Sequence, residues 1–382
     1  MMQKLKNGIR GSVYDHPFVH TRTMSQVPSL VTSKIGRDLH RQAHHPVSVI
    51  KNLILGYFKG RAEFSIFEDL PSTVSVRDNF DLLRIPVDHP SRSRSDTYYV
   101  DEDRVLRTHT SAHQNELLAK GYRSFLVTGD VYRRDEVDRF HYPVFHQMEG
   151  VHVVAEGVDP EEDLKETLSG LVRSIFPGRE YRFNPDYFPF TEPSYEIEVK
   201  FGDRWLEILG CGVVHPEILS RHGIRDRAWA FGFGLERWAM TLFEIPDIRL
   251  FWSSDPRFLS QFREGQITPF KPYPVLESIS RDISFWIAET DITKDRGDAG
   301  IFKWNRANDF YEVVRETFGD NVERVSLHDM FYHEKKGRYS HTFRITISAG
   351  VDVTDPGKFT EFANASMERL RDAIPSLGVV PR

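Results

Sequence analysis

Strand after strand with scarcely a helix between them is the feature that most restricts this chain. Residues 125–132, 144–155, 195–201 and 204–214 are runs of β-branched and aromatic residues bounded by Gly, Asp or Pro. Parallel neighbours would need a crossover of a dozen or more residues between each pair, usually a helix. One helical pattern intervenes, capped by Asp159-Pro160-Glu161-Glu162 and running to about Ile175. The spacing therefore predicts an α+β body around a mainly antiparallel sheet. Residues 229–241 complete it by joining a glycine-rich stretch to a helical pattern.

Upstream, residues 33–58 read as an amphipathic helix with His45-Pro46 as a start signal and Val49, Ile50, Leu53, Ile54, Tyr57 and Phe58 at helical spacing. Downstream, Pro269, Pro272 and Pro274 mark a linker. Beyond it come a strand at 280–287, a helix at 308–318, strands at 322–332 and 339–349, a helix at 358–373 and a short last strand at 378–382. That β-α-β-β-α-β order describes a ferredoxin-like sandwich of roughly 100 residues. The expected division is an N-terminal extension at 1–40, a large domain at 41–268 and the sandwich at 269–382.

No apolar run approaches the roughly 18 residues that cross a bilayer, so no membrane partner is expected. The single cysteine, Cys211, excludes an intrachain disulfide and a cysteine-rich zinc site. With 50 basic and 56 acidic residues the net charge is −6, so any nucleic acid must be held by local patches. Residues 1–14 carry Lys4, Lys6 and Arg10 with no acid before Asp15, a pattern shared by organellar transit peptides and by plain solvated tails.

Two segments carry candidate chemistry. In residues 129–150, GDVYRRDEVDRFHYPVFHQMEG, Arg133 closes an apolar strand, where a planar, permanently charged donor suits a phosphate. Gln147 and Glu149 alternate on one face of the next strand and are able to receive an ammonium group. The second segment, Ala230-Phe231-Gly232-Phe233-Gly234-Leu235-Glu236-Arg237, opens a helix with glycines that let a ligand approach the backbone. Taken singly, an Arg-Arg pair also fits a solvated hairpin tip, and a glycine-rich turn also fits helix packing.

Together they resemble motifs 2 and 3 of the class II aminoacyl-tRNA synthetases, with the His45-Pro46 helix and a strand into Pro86 as motif 1. Within that class NFDLLRIPVDHPSR (79–92), HTSAHQNELL (109–118), FPFTEPSYEIEV (188–199), WLEILGCGVV (205–214) and WAFGFGLER (229–237) are similar to phenylalanyl-tRNA synthetases. From KPYPVLESISRDISFWI (271–287) to the C-terminus the chain resembles the ferredoxin-fold anticodon-binding domain, which the monomeric organellar enzymes carry on the same chain.

The resemblance implies a monomeric phenylalanine-tRNA ligase using ATP and Mg²⁺, with L-phenylalanine and tRNA(Phe) as partners, in the mitochondrial matrix or a plastid. It implies that Arg133, His141, Tyr142, Phe145, Glu207 and Arg237 meet ATP, with Glu207 holding the metal and Arg133, Arg237 and Glu207 catalytic. Ser111, Ala112, His113, Gln114, Phe140, Gln147, Met148, Glu149, Phe188, Phe190, Ala230 and Phe231 would line the amino-acid site. Lys335, Lys336 and Arg338 form a basic turn suited to RNA, as they do a solvated hairpin tip. The competing reading is a catalytically inactive RNA-binding protein on the same scaffold.

Overall fold

A computed structural model describes residues 27–61, 64–273, 275–294, 302–349 and 355–382. The basic stretch at 1–14 and Pro274 of the expected linker lie outside them. Seven strands build the central sheet: β1 (Ser65–Phe67), β2 (Ser124–Tyr132), β3 (Val144–Val153), β4 (Tyr181–Phe188), β5 (Thr191–Phe201), β6 (Arg204–Val214) and β7 (Ala228–Gly234). Their order is β1-β2-β3-β7-β6-β5-β4, and every pair except β1 with β2 is antiparallel.

One face of this sheet is covered by α1 (Pro46–Lys59), α2 (Pro160–Ile175) and α3 (Leu235–Leu242), with Ile50, Ile54, Phe58, Leu164, Leu168 and Leu171 packed among Met148, Phe231 and Trp238. The helix expected from 33 begins only at Pro46. Gly36, Asp38 and His44 adopt φ of 74°, 47° and 66°, left-handed values that stop a helix. His45 then caps α1, its side chain accepting from the Val47 N–H. The strand expected into Pro86 is instead two helical turns, Val76–Asn79 and Asp81–Leu83, the first capped by Ser75. At the C-terminal end of the sheet β7 runs through Gly234 directly into α3, so the last strand residues and the first helical turn share one corner.

The C-terminal sandwich has strands β8 (Ile279–Ala288), β9 (Val322–His333), β10 (Arg338–Ile347) and β11 (Val380–Pro381) in the order β9-β10-β8-β11. Helices α4 (Ala307–Phe318) and α5 (Pro356–Ala373) cover one side through Phe310, Val314, Met367 and Leu370 against Phe285, Phe343 and Ile345. A ribbon of Ile292–Lys294 with Phe302–Trp304 is added to the expected order. Among the described residues no helix is long and apolar enough to cross a membrane.

The sandwich rests on the connection between β2 and β3. Val325 N donates to Val137 O at 2.9 Å, and the Arg315 guanidinium donates to the carbonyls of Asp135 and Glu136. Asp320 accepts from the Tyr142 hydroxyl and pairs with Lys34 at 2.8 Å, while Arg249 reaches Val322 O at 2.9 Å.

Candidate active site

The face of the sheet opposite α1, α2 and α3 carries the chemistry, and strand alternation decides which residues stand on it. Phe145, Gln147 and Glu149 project there from β3; directly opposite Gln147 and Glu149 in β7 are Gly234 and Gly232, with Ala230 two residues further on. Gly210 of β6 pairs with Gly232 from the other side. A floor of glycines lies between walls of functional side chains.

The glycines do different jobs. A Cβ on Gly210 would come within 2.8 Å of Phe188 Cζ, so the Phe188 ring lies across that position. One on Gly234 would touch the Phe145 ring at 3.7 Å. Gly232, between them, faces open space: the nearest atom to an added Cβ is Met148 O at 3.9 Å. The centre of the trough is the place where β7 has no side chain.

Three chemically distinct regions surround Gly232. At one end Arg133 donates through Nε to Thr108 O at 2.8 Å and holds its guanidinium carbon 5.2 Å from the Phe145 ring centre. Arg237 lies nearby, 3.4 Å from Glu207, and both side chains are half exposed. Burial, then the neighbouring Arg237 charge, pull the Arg133 pKa down, with Asp135 and Glu207 opposing. In the middle Ser111 Oγ donates a short hydrogen bond to Glu149, and Thr110 N donates to Gln147 Oε1 at 3.3 Å. Burial raises the Glu149 carboxyl to about 7, because no cation neutralises it. At the far end Phe188 and Phe190 stack at 5.9 Å, and Phe190 packs in the cluster that contains Ala230. Basic and aromatic, then acid and amide, then apolar is the order along one continuous face.

The match with known proteins follows the same face. The family model for the class II tRNA synthetase core domain (F) covers residues 31–262, which include every one of these strands. "Phenylalanine--tRNA ligase, chloroplastic/mitochondrial" of Arabidopsis thaliana is 48% identical over 365 residues, spanning 92% of this chain and 81% of that protein. The chain belongs to the class II phenylalanine-tRNA ligase family. The mitochondrial members from Dictyostelium discoideum and Mus musculus are 42% and 44% identical, over 82% and 83% of this chain and 80% and 77% of those proteins. Class membership carries ATP use with it.

Within this ligase fold several expected residues stand elsewhere. Met148 is fully buried on the helix-covered face, because it lies between Gln147 and Glu149 in a strand of period two. Phe231 alternates with Ala230 and Gly232 in the same way; its ring stacks on Phe58 of α1 at 5.5 Å. Neither lines the trough. Tyr142 is turned to the sandwich, stacked on Trp252 at 5.7 Å with its hydroxyl on Asp320, so it leaves the nucleotide set. Phe140 is 60% exposed on the β2–β3 connection beside Arg139, away from the apolar end of the trough. His113 is buried against Arg107, 2.9 Å from its guanidinium, and against Pro71 O at 3.1 Å. It steadies Arg107, which in turn pairs with Asp130 of β2 at 2.8 Å.

The other expected residues keep their neighbourhood. Ala112 is buried beneath Phe190, in a cluster with Phe80 and Leu83. Gln114, 1% exposed, opens the helix Gln114–Ala119, and its Oε1 is buried without a hydrogen-bond partner. His141 is half-buried and hydrogen-bonded to Asp138 at 2.9 Å, a carboxylate that raises the imidazole pKa and favours the charged ring. Gly232 is among the glycines expected to let a ligand approach the backbone, and the face of β7 puts it at the centre of the trough. One residue of the site was missed in the sequence. His109, held down to about 3 first by burial and then by the Arg133 charge, is a neutral ring beside the phosphate-type arginine.

Glu207, the carboxylate expected to hold Mg²⁺, has a second carboxylate, Glu196, within its electrostatic reach. Burial, followed by the charges of Glu207 and Asp186, raises the Glu196 carboxyl, whereas among the described residues the carboxylate and imidazole atoms close enough to share an ion are those of Glu136, Asp138 and His141.

Proposed function

We propose that this chain activates L-phenylalanine with ATP and Mg²⁺ and transfers the acyl group to the terminal adenosine of tRNA(Phe), acting as a monomer in an organelle. The observation that carries the reading is the order of chemistry around Gly232. An aminoacyl-adenylate needs an adenine and phosphate end, an ammonium acceptor and a side-chain pocket in one line, and the trough offers them in that order.

In the first step a carboxylate oxygen of phenylalanine attacks the α-phosphorus of ATP and pyrophosphate leaves. Arg133 and Arg237 stabilise charge on the phosphates, Arg133 being set by its bond to Thr108 O. Phe145 stacks on the adenine, and His141 meets the outer phosphates. Glu207 would hold Mg²⁺, which would supply charge neutralisation at the phosphate oxygens. Gln147 and Glu149 hold the ammonium, with Ser111 orienting the carboxylate, while Phe188, Phe190 and Ala230 meet the ring. In the second step the adenosine hydroxyl attacks the acyl carbon and AMP leaves. Residues 41–268 form the catalytic domain in this reading, and residues 269–382 bind the anticodon.

The sandwich supports an RNA role through its helix-free face. Trp286 lies there with Phe331 at 5.9 Å and His333 at 5.6 Å. Lys336 stands 4.3 Å over the Trp286 ring and Arg382 5.5 Å over it, near the turn that bears Lys335 and Arg338. Aromatic rings among cations suit unpaired bases on a charged backbone.

Pyrophosphate exchange into ATP, run with each of the twenty amino acids and no tRNA, tests the proposal. Exchange selective for phenylalanine is the expected result. No exchange with any amino acid would turn the reading to an RNA-binding scaffold.

A further inference from the structure

Motif residues that meet the nucleotide sit on two different elements, β3 and α3, and one buried contact ties these together. Glu236, 1% exposed in the first turn of α3, takes the His146 backbone N–H on Oε2 at 2.8 Å and its Nδ1 on Oε1 at 2.6 Å. His146 is fully buried on the helix-covered face, stacked on Trp252 at 5.6 Å and 5.2 Å from the His40 ring. A carboxylate removed from water is costly unless its oxygens are satisfied, and both of these are.

The chain neighbours make this contact informative. His146 lies between Phe145 and Gln147, which face the trough; Arg237 follows Glu236 and faces Glu207. A two-point clamp between 146 and 236 sets both the distance and the rotation of α3 relative to β3. Opposite His146, Asp130 of β2 accepts from Arg107 and from the Tyr132 hydroxyl, so a polar layer runs beneath the site from Arg107 to α3. In the same first turn of α3 Leu235 and Trp238 are fully buried and Trp238 Nε1 donates to Ile208 O of β6 at 2.8 Å, so the Glu236 clamp adds the hydrogen bonds to β3. Gly234, the N-cap residue of α3, makes no side-chain cap.

We propose that Glu236 is a positioning residue for the nucleotide: clamped on His146, it fixes the first turn of α3 so that Arg237 enters the trough opposite Phe145. The inference rests on the reading of Arg237 as a nucleotide contact. Loss of such alignment acts on the substrate that α3 meets and spares the one held by Gln147 and Glu149.

Four variants of the full chain separate the possibilities, with calorimetric binding of a non-hydrolysable ATP analogue and KM values from pyrophosphate exchange as readouts. Glu236→Gln keeps one acceptor and offers a donor to Nδ1, and should hold nucleotide affinity within about threefold of the parent. Glu236→Asp, one methylene shorter, and Glu236→Ala should weaken the analogue and raise KM for ATP tenfold or more, with KM for phenylalanine changed less than threefold. If the alanine variant does not fold, the aspartate variant decides. Arg237→Ala is the reference: if it binds the analogue like the parent, the nucleotide reading of this corner fails. If Arg237→Ala loses affinity while the folded Glu236 variants keep it, or raise both KM values alike, the positioning role is overturned.

Discussion

The Ser111 hydroxyl donates to a Glu149 carboxylate that has no cation beside it and titrates at about 7. Burial opposes its charge, and the hydrogen bonds from Ser111 and Thr110 only partly offset this. A substrate ammonium needs the ionised form. Below about pH 7 binding must therefore release a proton, and affinity should fall by up to about tenfold per unit. KM for phenylalanine should drop as pH rises through about 7 and then level, while KM for ATP stays flat. Glu149→Gln should raise KM and remove the dependence. A parent enzyme whose phenylalanine KM ignores pH would take Glu149 out of the ammonium site.

Gly232→Val tests the centre of the trough. An added Cβ meets nothing closer than 3.9 Å, so the fold should tolerate the change within about 1 kcal/mol by denaturant unfolding. The new methyls would occupy the substrate's place, and exchange activity should disappear. Retained activity with a folded protein would move the substrate away from this floor.

Arg133 is joined to Thr108 O through Nε, a geometry lysine lacks. Arg133→Lys should lower kcat for exchange by about 10²–10³-fold, the usual scale for one transition-state donor. A loss below about fivefold would assign the α-phosphate to another group.

Phe231 belongs to the core, with its ring 5.5 Å from that of Phe58. Phe231→Ala should cost about 3–5 kcal/mol of stability. In the fraction that remains folded at low temperature, selectivity for phenylalanine over p-chlorophenylalanine should be unchanged. Ala230→Gly, acting on the trough side of the same strand, should instead admit the chlorinated analogue. Reversed behaviour of the two would invert the face assignment.

For the sandwich, Phe331→Ala together with Lys336→Glu should weaken tRNA charging, with the electrostatic part of the defect largest at low salt and shrinking as salt rises, and leave exchange without tRNA untouched. Equal loss in both assays would show that the change damages the catalytic domain instead.

The antiparallel sheet, the helix-opening glycines and the βαββαβ order were legible because each rests on local periodicity. What escaped depended on face or on distant partners. Met148 and Phe231 lie inside the right motifs, yet the period of two sends them to the core while Gln147, Glu149 and Ala230 reach the trough. β4 was missed because Pro185 and Asp186 interrupt its pattern, and it is held as an edge strand by β5. Tyr142 reads like its neighbours in the hairpin; only Asp320, far along the chain, shows where it points. His113 lost its expected role to Arg107, a pairing no spacing rule announces.

In the proposed reading, a floor where Gly232 and Gly234 lack side chains would have no rotamers to freeze when substrate arrives, so contact there would cost little ordering entropy. It also has nothing that can swing aside. An oversized amino acid meets main chain pinned on both edges by β3 and β6, which cannot yield without breaking sheet pairing. Discrimination at the floor is thus rigid by construction, and any broadening of substrate range must come from the walls.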